Sequence, residues 1–407
     1  MKNLSSHISR RLLRHLSTTA TTAAAPSSAI TIHKAKHKLQ KEHDPDKALE
    51  IYSSVSNNST SPLSSRYAQQ LTVQRLAKAR RFDDIETLIE SLKNDPKITQ
   101  EPYFCTLIRC YGKAGMFDNA IKLYDQMEEL GTPRSCLSFN ALLAAGNNSL
   151  VFDRVHQVFD EMPEKYGFDP DKISYGILVK ACCEKGEPEM GLKIIEEMEG
   201  KGVEVTAVTF TTVLDSLYRI GKVDKAERVW GEMVEKGCVP DVAAWNVKIG
   251  HAHAGEPEGV MGLIVEMEGA GLKPDTISYN YLLACYCRND RLDEAMKVYE
   301  DLAKGGFRLK AATFRTLISY LCKKEDYAKG YDVFKRSVFH NKIPDFGTLK
   351  VLVEGLVKKK RKKDAKGLIR TVKKRFPPSF TNAWKKVEAE LGLLNEEGSA
   401  IDDAPAV

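Results

Sequence analysis

The chain has 407 residues, 43% of them hydrophobic and 29% charged, and a formal net charge of +6. This composition buries sizeable cores and excludes collagen-like and wholly disordered chains, and no apolar run approaches the ~20 residues of a membrane span. Nine cysteines without a Cys-x-x-Cys pair exclude a disulfide scaffold and point away from a Cys-rich zinc module.

Residues 1–29 carry Lys2, Arg10, Arg11 and Arg14 and no acid, among many Ser, Thr and Ala. Arg10, Arg11, Leu12, Leu13, Arg14 and Leu16 can form a short basic amphipathic helix, the composition of an organellar transit peptide. The apolar stretch of a secretory signal is missing. Arg14-His15-Leu16-Ser17 resembles mitochondrial processing sites, so the mitochondrial matrix is the expected destination and the plastid the alternative.

Residues 30–65 read as a degenerate helical pair, with Asp46-Lys47-Ala48-Leu49-Glu50 opening its second helix. A weak unit follows at 66–100, with Ile85, Leu88 and Leu92 on helical spacing. From residue 101 a period close to 35 takes over. Aromatics recur at Phe104, Phe139, Tyr175, Phe210, Trp245, Tyr279 and Phe314. A second large residue recurs at Tyr124, Phe159, Ile195, Trp230, Ile264, Tyr299 and Phe334, and Met127, Met162, Met198, Met233 and Met267 form a third series continued by Leu302. Seven repeats result: 101–135, 136–171, 172–206, 207–241, 242–275, 276–310 and 311–345.

Within a repeat, Phe104, Leu107, Ile108 and Tyr111 share one helical face, and Ala120, Leu123, Tyr124 and Met127 share a second. Gly112-Lys113-Ala114-Gly115 is expected to break the two apart, with Asp118 at the start of the next helix and Gly131 and Pro133 at its end. One such pair cannot cover its own apolar stripes and must stack on its neighbours. The aromatic and Met series lie on those stripes and read as packing core, not as a base ladder or a ligand set. Residues 346–376 look like a final, degenerate and basic unit or cap, and 377–407 like a helix followed by an acidic disordered tail. Charge is uneven: +4 over 1–29, −4 over 30–345, +10 over 346–376 and −4 over 377–407.

The units resemble pentatricopeptide repeats of the pure 35-residue class. Asp275-Thr276-Ile277-Ser278-Tyr279-Asn280 and Ser138-Phe139-Asn140-Ala141-Leu142-Leu143 are similar to the family's unit opening, and Gly221-Lys222-Val223-Asp224-Lys225-Ala226-Glu227 to its mid-unit turn. Tetratricopeptide repeats are the nearest competitor, but their first-helix Gly is missing here. The resemblance, over about 66–376, implies an all-α, right-handed superhelical solenoid of stacked helix–turn–helix repeats. It also implies that the fifth and last residues of each unit face RNA, one base per unit.

Those pairs are Cys105/Ser135, Asn140/Asp171, Gly176/Thr206, Thr211/Asp241, Asn246/Asp275, Asn280/Lys310 and Arg315/Asp345. The two Asn/Asp pairs resemble the family's uracil code and Thr211/Asp241 its guanine code. Asn280 is a further candidate base contact. Lys310 and Arg315 are phosphate-type residues, as are Lys358, Lys359, Lys360, Arg361, Lys362 and Lys363, where neutralised phosphates would release counterions. No catalytic constellation, phosphate-binding loop or dinucleotide fingerprint is present, and His251-x-His253 has the wrong spacing for two ligands on one helix face.

The expectation is a non-enzymatic mitochondrial RNA-binding protein without cofactor, metal, membrane or small-molecule substrate. Its partners would be rRNA and proteins of the plant-type mitochondrial ribosome. The alternatives are a transcript-specific factor on organellar mRNA and a protein-binding helical scaffold.

Overall fold

The computed structural model describes residues 30–55, 62–93, 100–376 and 378–394. The expected import segment and the acidic tail after residue 394 lie outside these. Helices follow in pairs: α1 (Ile32–Lys41) with α2 (Pro45–Ser53), α3 (Pro62–Lys78) with α4 (Phe82–Lys93), and α5 (Glu101–Ala114) with α6 (Phe117–Gln126). Then come α7 (Cys136–Asn148) with α8 (Phe152–Tyr166), α9 (Lys172–Lys185) with α10 (Pro188–Gly200), and α11 (Ala207–Arg219) with α12 (Val223–Glu235). The remaining pairs are α13 (Val242–Ala252) with α14 (Pro257–Gly269), α15 (Thr276–Arg288) with α16 (Leu292–Lys304), α17 (Ala311–Lys323) with α18 (Tyr327–Phe339), and α19 (Phe346–Lys358) with α20 (Lys362–Arg375). The last helix among the described residues is α21 (Pro378–Glu390). Among the described residues the one β feature is a bridge between Ile30 and Val55.

Within each unit the architecture is an all-α stack of helix pairs, in which apolar stripes are covered by the neighbouring pair. The chain divides into two compact units between Val247 and Lys248. In the first unit, first helices stack α3 on α5, α5 on α7, α7 on α9 and α9 on α11. One core runs from Leu49 to Ala244 and takes in Phe104, Phe139, Tyr175 and Phe210. Burying each such side chain stabilises by roughly 1.5–3 kcal/mol. In the second unit α15 stacks on α17 and α17 on α19, around Leu283, Phe314, Leu317, Leu352 and Leu356.

Ion pairs one repeat apart pin the pairs in register. Arg81–Asp46, Arg154–Asp118 and Lys222–Glu189 do so in the first unit, and Arg291–Glu258, Lys324–Asp290 and Lys358–Glu325 in the second.

The structure refines the sequence reading at several places. Gly112 does not break α5. It lies inside the helix, where a Cβ would come 2.4 Å from the Ala145 Cα, so its role is to let α5 and α7 approach. The break falls at Gly115, whose φ of 75° ends the helix in the left-handed conformation. The weak unit opens at Pro62 rather than 66, since proline suits a first helical turn. Residues 346–376, though degenerate in sequence, still fold as a helix pair, with Leu349, Leu352, Val353, Leu356, Ala365, Leu368, Ile369 and Val372 all buried. In the aromatic series Tyr279 is half-buried and sets its ring edge-on to Phe307, 5.6 Å away.

Candidate nucleic-acid interface

The best-built candidate position is Asn140 on α7. Its side chain is only 6% exposed, so both polar ends need partners. The amide Nδ2 donates to Asp171 Oδ1 at 3.0 Å, and Oδ1 accepts from the Ser174 hydroxyl at 2.6 Å. Asp171 caps α9, accepting the Ile173 and Ser174 N–H groups at 3.0 and 2.8 Å, and its own N–H donates to Ser174 Oγ at 3.2 Å. Burial pushes the Asp171 carboxyl up. The Ser174 N–H, the Asn140 amide, the Ser174 hydroxyl and the Ile173 N–H outweigh it and hold the group below its ordinary value. The amide plane is therefore fixed, with one amide hydrogen and one oxygen lone pair left over.

Elsewhere in the first unit the candidates differ. The Thr211 hydroxyl donates to the Ala207 carbonyl of its own helix at 2.7 Å. Asp241 is exposed and accepts the Ala244 N–H at 2.9 Å, and Asn246 is 7% exposed on α13. Cys105 is buried, which pushes its thiol up to about 12, and it has no route to a ligand. Three apolar side chains missed as individual residues stand in solvent at the second position of α7, α9 and α11: Leu137, Ile173 and Val208, 44%, 56% and 66% exposed. Their signal in the sequence was an apolar residue just outside the packing stripe.

In the second unit Asp275 caps α15, accepting the Ile277 and Ser278 N–H groups at 2.8 and 3.1 Å. Asn280 Oδ1 accepts from the Thr313 hydroxyl at 2.8 Å, the same orienting bond that Ser174 gives Asn140. Asn280, Lys310 and Arg315 come together along a groove of about 800 Å³ between α15 and α17. Lys310 and Arg315 are both exposed there. The groove continues to Tyr281, His253 and Arg288. Burial, then the charges of Arg288 and His251, hold His253 below the ordinary imidazole value against the opposing Gly250 carbonyl.

The basic run at the end of α19 is partly neutralised. Lys358 and Lys359 both bind Glu325, at 2.7 and 3.0 Å, and the Lys358 bond leads in drawing that carboxyl down to about 2. Arg361 binds Asp364 at 2.6 Å. Lys360, Lys362 and Lys363 remain exposed at this end. Asp345 caps α19; the Thr348 N–H leads in holding its carboxyl below the ordinary value, and Arg315 contributes.

Family models for the PPR repeat family match residues 274–323, for the PPR repeat 312–338, and for the pentacotripeptide-repeat region of PRORP 97–246. The chain is 58% identical to the Arabidopsis thaliana small ribosomal subunit protein mL103 (rPPR7), over 96% of each chain. It is 55% identical to a mitochondrial pentatricopeptide repeat-containing protein of Arabidopsis thaliana, over 97% of this chain and 95% of that one. The chain belongs to the pentatricopeptide repeat family. Among solved structures, the pentatricopeptide repeat protein PPR10 from maize aligns with a TM-score of 0.43 at 19% identity. That alignment covers 94% of this chain and 62% of PPR10. In this pentatricopeptide repeat protein, no group of His, Cys, Asp or Glu among the described residues could hold a metal ion, and no described helix is long and apolar enough to cross a membrane.

Proposed function

We propose that this pentatricopeptide repeat protein is a non-enzymatic, RNA-binding component of the mitochondrial ribosome, held on ribosomal RNA. The observation that carries the reading is the 58% identity, end to end, with a protein named as a small ribosomal subunit protein. A mitochondrial relative at 55% identity and the acid-free, Arg-bearing residues 1–29 support action in mitochondria.

The binding chemistry divides along the chain. Around Asn140 and Asp171 a fixed amide offers one donor and one acceptor to a base edge, and exposed Leu137 and Ile173 offer apolar surface to base faces. Thr211 with Asp241, and Asn246, Asp275 and Asn280, are further base contacts in this reading. Lys310, Arg315, Lys360, Lys362 and Lys363 take phosphates; Lys358, Lys359 and Arg361 do so after exchanging their carboxylate partners.

The test is sedimentation of the native protein through a gradient, with and without ribonuclease. Co-migration with ribosomal subunits, lost on ribonuclease treatment, is the expected outcome. Protein that runs free of subunits at low salt and carries a single mRNA would replace this reading with the transcript-specific one. Association that survives ribonuclease would make the protein a scaffold instead.

A further inference from the structure

A second groove of the second unit lies on the side of its second helices. It encloses about 390 Å³ and is lined by Met261 of α14, Tyr279, Leu282 and Tyr286 of α15, and Val298 and Phe307. Tyr286 is 6% exposed, and its hydroxyl donates to the Met261 sulfur at 3.0 Å, a weak acceptor. The face of α14 beside the groove is unlike that of its counterparts. With Met198, Met233, Met267 and Leu302 in one register, Gly262 stands where α10, α12 and α16 have Lys193, Arg228 and Lys297. Val265 stands where α10, α16 and α18 have Glu196, Glu300 and Lys335. Met261 and Val265 share one helix face and are 44% and 64% exposed. A Cβ at Gly262 would meet nothing within 4 Å, so no contact inside the chain requires the glycine, although it weakens the helix.

Charge here is one-sided. α14 has Glu258, Glu266 and Glu268 and no Lys or Arg. Arg291 binds Glu258 at 2.6 Å. Glu266 and Glu268 are exposed, and each has lost the cation of its counterpart. The counterparts on α10, Glu197 and Glu199, bind Lys201 and Lys236 at 2.8 and 2.6 Å. At the registers of those lysines stand Ala270 and Gly305. Glu268 is close to the groove: burial first, and then its charge, push the Tyr279 hydroxyl up. Asp301 on the lining forms no ion pair among the described residues, and Lys297 is the one cation there. An apolar hollow flanked by uncompensated carboxylates repels RNA phosphates and attracts apolar side chains set among Lys and Arg.

We propose that this groove docks a basic amphipathic helix of another protein. One large apolar side chain of that helix enters the groove, the rest of its apolar face covers Met261 and Val265, and its Lys and Arg side chains meet Glu266, Glu268 and Asp301. Gly262 lets the partner's backbone come close to α14. The surface goes beyond the RNA contacts proposed above, which use none of these residues.

Full-length protein is titrated with a short labelled peptide of Leu and Lys patterned as an amphipathic helix, and with its counterpart in which Glu replaces Lys. The Lys peptide is expected to bind and the Glu peptide not to. Gly262→Lys with Val265→Lys places in α14 the residues that α16 and α18 carry at these registers, so the fold is kept. This variant is expected to weaken binding of the Lys peptide by roughly 10-fold or more, without loss of thermal stability or RNA affinity. Glu266→Gln with Glu268→Gln is expected to weaken it less and to flatten its salt dependence. A parent chain that binds neither peptide, equal binding of both peptides, or parental affinity in the folded Lys variant overturns the docking site. RNA affinity that falls in the Lys variant gives this face to RNA and overturns it as well. Self-association of the parent chain in sedimentation equilibrium, abolished in the Lys variant, makes the occupant a second copy and overturns the proposed partner.

Discussion

Replacing Asp171 with alanine removes two things at once. It uncaps α9, whose Ile173 and Ser174 N–H groups lose their acceptor, at a cost of about 0.5–2 kcal/mol. It also strands the nearly buried Asn140 amide, which adds about 1 kcal/mol. The expected destabilisation is therefore about 1.5–3 kcal/mol, whereas Asp171→Asn, an equally good cap that keeps an acceptor oxygen, should cost less than about 0.5 kcal/mol. The carboxyl is held below its ordinary value in the folded chain. Its contribution is accordingly present above the unfolded value of about 4 and is lost as pH falls through the lower folded value. The gap between parent and alanine variant should close in acid. Urea denaturation followed by circular dichroism measures the whole effect, and hydrogen exchange in the first turn of α9 locates it, since repeat arrays need not unfold in one step. An alanine variant with parental stability and parental exchange at Ile173 and Ser174 would refute the reasoning.

Gly112→Ala should destabilise by about 1–3 kcal/mol, because the added methyl meets the Ala145 backbone, and thermal melting will show it. Gly231→Ala on α12, with nothing within 4 Å of the new methyl, should stabilise by up to about 1 kcal/mol in the same assay. Asn140→Ala should weaken binding to uridine-rich RNA by roughly 1–3 kcal/mol and leave binding to adenosine-rich RNA nearly unchanged, as anisotropy titrations would reveal. Lys360→Gln, Lys362→Gln and Lys363→Gln together should reduce the salt slope of ribosomal RNA binding by about 2–3. Changing Lys358 and Lys359 instead should do less, because Glu325 already occupies them.

Much of this architecture was legible because one period carries both the packing and the caps. Phe104, Phe139, Tyr175, Phe210 and Phe314 recur at that period and are all buried, and Asp171 and Asp275 recur at its boundary and cap helices. What escaped the sequence was whatever depends on a neighbour from another repeat. Gly112 looks like a punctuation mark until Ala145 is seen against it. Lys358 and Lys359 look like free charge until Glu325, one turn region earlier, is found between them. Tyr281 looks like any helical tyrosine until Gly250 and His253 are placed beside it. The Thr211 rotamer gives the hydroxyl proton to its own backbone and leaves the oxygen as acceptor, and rotamers leave no trace in composition.

The bonds around Asn140 also say where this chain can be cut and rejoined. The amide belongs to α7, but both of its partners, Asp171 and Ser174, belong to the junction with α9 and to that helix's first turn. The orientation of the amide at such a position is a property of a junction, not of the nominal repeat that contains the asparagine. A segment grafted into another solenoid as residues 136–171 would leave Ser174 behind and free the asparagine oxygen to rotate. The piece that transplants intact runs from the start of α7 through Tyr175, overlapping its successor by the length of a capping box.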